Sequence, residues 1–206
     1  MFLPLFPLKL VVFPEEDLNL HIFEPRYREL LSDVEKHRIS FGICTYIDQL
    51  TGYGTEVRLV KVEKRYDDGR LDIKTKGVRV FKLKSFDNPT SGKLYAGGEV
   101  QFLQNDPVVS DALNREFIFY LKEMLYLLNY PGKVNPDTVN SFTYAHKLGL
   151  KLEEESELHQ MDKESERMEY LVHHFKRMIP VIKAVEEAKE KIKLNGHFKH
   201  LDPLNF

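Results

Sequence analysis

Residues 3–30 read LPLFPLKLVVFPEEDLNLHIFEPRYREL, an apolar run broken by Pro4, Pro7 and Pro14 that ends in the phrase HIFEPRYR. That phrase encodes the start of a helix. Pro25 suits the first helical position, where its missing N–H would have no helical partner, and Glu24 before it is placed to accept from the exposed amides of the first turn. Tyr27, Leu30, Leu31 and Val34 then share one helical face, with Arg28, Glu29 and Lys36 outside. His21, Phe23, Glu24, Pro25 and Arg26 are thus expected to fix a strand-to-helix corner rather than to touch a ligand.

Outward from this helix, the first half of the chain is rich in short β-forming runs separated by turns: ISFGICTYI, TEVRLVKVEKRY, RLDIKTK, VRVFKLKSF and EVQFL. Asp67, Asp68 and Gly69 separate two of them as a hairpin turn would. Val57 and Leu59 lie in one strand phase and Val60 and Val62 in the other, and a similar change falls between Val80 and Phe81. A change of phase requires a bulge or a strand buried on both faces, which suits a closed or half-closed barrel better than a flat sheet.

Near residue 106 the pattern changes to helical. Ser110 is placed to cap a helix to about Asn129, with Leu113, Phe117, Leu121, Met124 and Leu128 on one face. Asn135 and Pro136 are expected to open a second helix that ends at Gly149, a left-handed C-cap. The acidic run EEESE at 153–157 reads as a solvated helix start. Met168, Leu171, Val172, Phe175, Ile179, Ile182 and Val185 form a stripe on a long last helix, which Pro180 is expected to kink. The expected organisation is a β subdomain at 1–106 and a helical subdomain at 107–206, an α+β protein.

Composition bounds the function. With 206 residues, 42% of them hydrophobic, the chain can bury a core, and its net charge of −2 supplies no overall positive field for nucleic acid or an anionic membrane. The single cysteine, Cys44, has no partner for an internal disulfide and fits a reducing, cytoplasmic compartment. The prolines and acids of the opening stretch interrupt any continuous apolar segment, so it reads as neither a signal peptide nor a membrane span.

The opening stretch, followed by FGI at 41–43, GTEV at 54–57, DDGRLDIKTKGVRVFKL at 67–83 and YAGGEV at 95–100, resembles the N-terminal domain of ATP-dependent Lon proteases. The resemblance implies a PUA-like β pseudobarrel followed by a C-terminal helical bundle, a module that recognises and holds unfolded or damaged polypeptide. It also implies unfolded or partly folded proteins or peptides as partners, with a protease or chaperone alongside. Two loop positions depart from the family pattern: Glu15 follows Pro14 where a glycine is usual, and Asn19 replaces the second proline. No phosphate loop is present, because Asp87 and Leu127 stand where the first glycine would precede Gly92-Lys93 and Gly132-Lys133. Lon's proteolytic serine and lysine belong to a separate C-terminal domain for which this chain has no room, so a non-catalytic binding module is expected.

No cofactor is implied. The pairs His173/His174 and His197/His200 lack metal-ligand spacing, and neighbours on a helix diverge by about 100°. For client capture the candidate residues are Tyr46 and Tyr53, around DQLTGYG, and Tyr66 beside DDG, because rings near turns stay more accessible than rings in strand centres. The alternative is an RNA-binding PUA-like module, suggested by Lys61, Lys64, Arg65, Arg70, Lys74, Lys76, Arg79, Lys82 and Lys84, although alternation with apolar residues is also what a solvated sheet face looks like.

Overall fold

Six strands, β1 (Phe2–Leu8), β2 (Asp17–Ile22), β3 (Phe41–Tyr46), β4 (Leu50–Arg65), β5 (Leu71–Leu83) and β6 (Ala96–Phe102), form one sheet in the order β2-β5-β4-β3-β1-β6. The computed structural model describes the backbone of residues 1–197 and the side chains of residues 1–193. The far end of β5 turns back onto β6, pairing Phe81 with Phe102 and Leu83 with Val100, so five strands close on themselves and β2 is left as a flap on β5. β1 and β3 run parallel; every other pairing is antiparallel. This is the β pseudobarrel of the expected α+β fold.

Three irregularities bend the long hairpin, one of them where the phase changes at Leu59/Val60. RLDIKTK and VRVFKL are parts of one strand, and its ladder with β4 shifts register at Glu56/Val57, Leu59/Lys61 and Val62/Lys64. Each bulge adds twist and bends the long hairpin. The DDG turn joins the two strands, with Gly69 at φ 84° and its N–H donating to the Tyr66 carbonyl at 2.9 Å. Inside, Leu3, Leu5, Cys44, Phe81, Ala96 and Val100 form one apolar cluster. A larger one joins helix α1 (Pro25–His37) to the sheet through Tyr27, Leu30, Leu31 and Val34, packed with Phe6, Val12, Ile43, Val57 and Ile73.

Glu24 corrects an expectation. It stands at the N-cap in an extended conformation, yet its side chain caps no amide; the carboxylate instead accepts from Arg26 Nε at 2.9 Å and Nη2 at 2.8 Å. A guanidinium two residues away is a stronger donor than a backbone amide and satisfies both the charge and the lone pairs. Because both side chains are more than a third exposed, Glu24→Ala is expected to change stability by under about 0.5 kcal/mol in urea unfolding, less than loss of a true cap. A loss above about 1 kcal/mol would show that the carboxylate does more than hold Arg26.

The chain forms two compact units. One comprises Met1–Pro107 together with Phe142–Glu164; the other comprises Val108–Ser141 and Ser165–Phe206. The segment 142–164, read from sequence as part of the helical subdomain, is thus counted with the barrel. It contains a 3-10 turn at Ala145–Lys147 and helix α3 (Leu152–Gln160), whose first turn carries Glu153, Glu154 and Glu155 and whose Glu154 carboxylate accepts from the Lys151 N–H at 2.9 Å. Phe13 reaches this segment, stacking on Phe142 at 5.1 Å and lying 4.7 Å from His146.

The helix expected between Asn135 and Gly149 is replaced by turns. Asn135 Oδ1 accepts from the Asp137 N–H at 3.1 Å and its carbonyl from the Val139 N–H at 3.1 Å, closing a local turn that competes with helix propagation. Gly149 does adopt the left-handed conformation, φ 73°.

In the second unit, helix α2 (Asp111–Leu127) begins where Ser110 Oγ accepts from the Leu113 N–H at 3.3 Å. It buries Phe117, Leu121, Met124 and Leu125. Helix α4 (Glu164–His197) buries Met168, Leu171, Val172, Phe175 and Ile179 and continues past Pro180. The Phe117 and Phe175 rings lie 6.1 Å apart, and Lys176 and Lys183 pair with Glu116 and Glu123 at 2.7 and 2.5 Å. Among the described residues no helix is long and apolar enough to cross a membrane.

Candidate functional site

The corner encoded by HIFEPRYR meets the tip of the β4–β5 hairpin. His21 lies opposite Asp72, and its Nδ1 is 2.6 Å from Asp72 Oδ1, while the Tyr66 hydroxyl donates to Oδ2 at 2.7 Å. The bonds from His21 and Tyr66 hold the Asp72 carboxyl below the ordinary carboxylate range. Arg28 reaches across to donate to the Asp68 carbonyl at 2.8 Å, pinning the turn. Tyr27 stacks on Phe6 at 3.6 Å, and the Arg26 guanidinium lies over the Tyr27 ring at 4.5 Å. Pro25 opens α1 as expected. Phe23 is different: its ring stacks beside His21 at 6.2 Å yet remains 59% exposed.

The three tyrosines do not come together. Tyr46 ends β3 opposite Leu50 and is exposed; Tyr53 lies on β4 opposite Lys82, whose Nζ is 5.8 Å from its ring. Tyr66 lies just past the far end of β4, up to about 40 Å from Tyr53 at roughly 3.3 Å per residue. There it belongs to the Asp72 network, with Lys64 Nζ 4.4 Å and Arg70 5.1 Å from the ring. Tyr46 and Tyr53 therefore share the β3–β4 hairpin, and Tyr66 shares the opposite end with Phe23 and His21.

Cys44 is buried and carries no reactive thiolate. Burial pushes the Cys44 thiol up to about 12, far from a reactive thiolate. His173 Nδ1 lies 3.1 Å from the Glu169 carbonyl; the His197 side chain and all of His200 fall outside the described residues.

One polar centre gave no sequence signal. His146 is held between Glu155 Oε1 at 2.7 Å and Glu16 Oε2 at 3.1 Å, and Glu16 also accepts from the Phe13 N–H at 2.8 Å. Burial works to lower the imidazole pKa, but hydrogen bonds to Glu155 and Glu16 outweigh it and raise the value to about 9. A raised folded pKa stabilises fully below the ordinary 6.5, and the contribution is lost as pH rises through about 9. With 35% of the side chain exposed, screening reduces the effect to about 1–2 kcal/mol. Stability measured by urea unfolding is expected to fall by that amount between pH 6.5 and 9.5, and His146→Ala to remove the dependence; an unchanged slope in the variant would assign it to other groups.

The molecule thus offers an aromatic- and charge-lined β surface, and among the described residues no cluster of His, Cys, Asp or Glu is arranged to hold a metal ion. A crystal structure of a Lon N-terminal domain protein from Xanthomonas campestris superimposes with a TM-score of 0.68 at 28% identity, covering 84% of this chain and 98% of that one. The N-terminal domain of the Mycobacterium avium complex Lon protease matches at 0.66 and 14% identity over 85% and 98%, a likeness of fold. No curated protein sequence matches the chain. The model of the ATP-dependent protease La (LON) substrate-binding domain matches residues 2–194. With the closed barrel, the corner helix and nearly the whole length accounted for, the chain belongs to the Lon substrate-binding domain family.

Proposed function

We propose that this domain captures unfolded or partly folded polypeptide, as an adaptor or holdase working beside a protease or chaperone, and that it acts by binding rather than catalysis. The family match across residues 2–194 carries the reading. Exposed apolar side chains on the β unit support it: Phe2, Phe23, Ile39, Tyr46, Val60 and Leu94 are all more than a third exposed.

The test is binding to a reduced, alkylated, permanently unfolded protein against the same protein in its native form. Burial gains about 25 cal/mol per Å², offset by ordering costs, so affinity for one segment should be about micromolar. Replacing Tyr46, Tyr53 and Tyr66 together with serine is expected to weaken it about three- to tenfold. Since Tyr66 stands apart from the other two, Tyr46→Ser/Tyr53→Ser and Tyr66→Ser measured separately identify the end used. Equal affinity for native and unfolded chains would defeat the proposal.

The RNA alternative loses ground to ion pairing. Lys61, Arg65, Arg70, Lys74, Lys76 and Arg79 each meet a carboxylate, from Glu63, Glu35, Asp68, Asp17, Glu15 and Glu56 respectively, which reduces the free positive charge available to phosphates.

A further inference from the structure

β3 and β4 pair only from Phe41↔Val57 to Tyr46↔Leu50. Beyond Val57, β4 runs on through Arg58–Arg65, still paired with β5 on one side. On the side that β3 occupied no strand continues, because the chain before Phe41 leaves the sheet as residues 38–40 and enters α1. Among the described residues no backbone hydrogen bond reaches that side of Arg58–Arg65. A row of unpaired N–H and C=O groups is a template for another extended chain.

The edge opens onto a cleft at the end of α1 whose lining includes Val34, Leu59, Ile39 and Ser40. Val34 is buried and Leu59 half-buried, giving an apolar base, and Ile39 is 42% exposed beside it. Two cations line the same cleft, Arg38 and Arg58, and among the described residues neither guanidinium has a carboxylate partner, since the nearby Glu35 and Glu56 pair with Arg65 and Arg79. The acid there, Glu35, is already matched by Arg65 at 2.5 Å, and Ser40 Oγ donates to Glu56 at 2.5 Å. The uncompensated charge is therefore positive. Register shifts at Leu59/Lys61 and Val62/Lys64 spoil the far part of the edge for pairing. A basic, bulged edge disfavours a second copy of itself but admits a short strand of opposite charge.

We propose that the β4 edge starting at Arg58, with its cleft at the end of α1, is a strand-addition site for an extended, carboxylate-bearing polypeptide segment. The segment's backbone continues the line of β3, its carboxylates meet Arg38 and Arg58, and an apolar side chain enters over Val34 and Leu59. The inference rests on the polypeptide-capture reading and narrows it to acidic, extended segments.

The probe is a fluorescent decapeptide of alternating valine and glutamate, titrated into the full chain. Three comparisons accompany it: the same peptide N-methylated at alternate residues, a valine–lysine analogue, and the double variant Arg38→Glu/Arg58→Glu. N-methylation, which removes ladder donors while leaving the protein untouched, is expected to weaken binding about tenfold or more, as are the lysine exchange and the double variant. Hydrogen exchange should slow in the complex at Arg58 and Leu59, the part of the edge before the first register shift. An N-methylated or lysine peptide that binds as well as its parent, or protection confined to other strands, overturns the site. The unfolded-protein assay separates the two readings. Capture of unfolded protein without peptide binding overturns the edge site and leaves general capture standing; peptide binding alone upholds the edge and removes general capture; binding of neither removes both.

Discussion

Replacing Phe13 with alanine is expected to lower stability by about 3–5 kcal/mol, the cost of a large cavity in a core that cannot collapse. The ring is 1% exposed, and its neighbours Phe142, His146 and His159 all come from the distant segment 142–164. The loss should therefore extend beyond the cavity. With the Phe13 ring gone, the segment loses that stack but keeps contacts such as the His146 bridge to Glu16, the 2.7 Å contact of His159 Nε2 with Thr55 Oγ1 and the backbone bond from the Asp106 N–H to the Asp162 carbonyl. Limited proteolysis should then cut within 142–160 faster than elsewhere in the barrel. Urea unfolding gives the magnitude, and a loss below about 1 kcal/mol would mean that contacts other than the Phe13 ring hold the segment.

Gly77→Ala is expected to cost about 3 kcal/mol, at the upper end of what overpacking does. Gly77 sits at a β5 bulge, opposite Val57, where the loop between β1 and β2 crosses close: its N–H donates to the Glu16 carbonyl at 2.8 Å and its carbonyl accepts from the Glu15 N–H at 3.0 Å. A Cβ there would lie 2.2 Å from the Phe13 carbonyl oxygen, a backbone atom that those hydrogen bonds hold in place. Gly52→Ala is the control. Gly52 has φ 81° and open space around it, so only backbone strain of about 1 kcal/mol is expected. Thermal unfolding of both variants should separate them clearly, and equal losses would show that the crossing loop moves aside at little cost.

The contrast between these residues explains what the sequence could tell. Pro25 and Ser110 mark helix starts because the physics of a helix end is local. The Asp67–Gly69 turn was legible for the same reason. The phase change at Leu59/Val60 marks the bulge between Leu59 and Lys61, whereas at Val80/Phe81 the ladder stays in register and both residues are buried, the second way a strand can change phase. The expected helix after Asn135 failed because apolar spacing at Val139, Phe142 and Ala145 carries no information about the side chains competing for the backbone. Glu24 was assigned the right position and the wrong partner.

Long-range placement was harder to read. Nothing near Ala145–Lys147 announces that His146 meets Glu16, or that Phe142 lies on Phe13, because periodicity records which face is apolar and not what it faces. The free edge of β4 was invisible likewise. It exists because β3 starts at Phe41 while β4 extends past Val57, a mismatch of strand lengths that appears only once register is known. At the hairpin-tip end the corner's Phe23, read as structural, is 59% exposed, whereas Tyr66, read as accessible, spends its hydroxyl on Asp72.

The interleaving of the two units has a consequence during synthesis. The barrel unit needs Phe142–Glu164 as well as Met1–Pro107, so it cannot be finished when residue 107 leaves the ribosome. At roughly 5–20 residues per second, the remaining stretch of on the order of sixty residues takes about 3–12 s to appear. During that interval Phe13 has no partner ring, and the nascent barrel presents an apolar surface of the kind that chaperones bind.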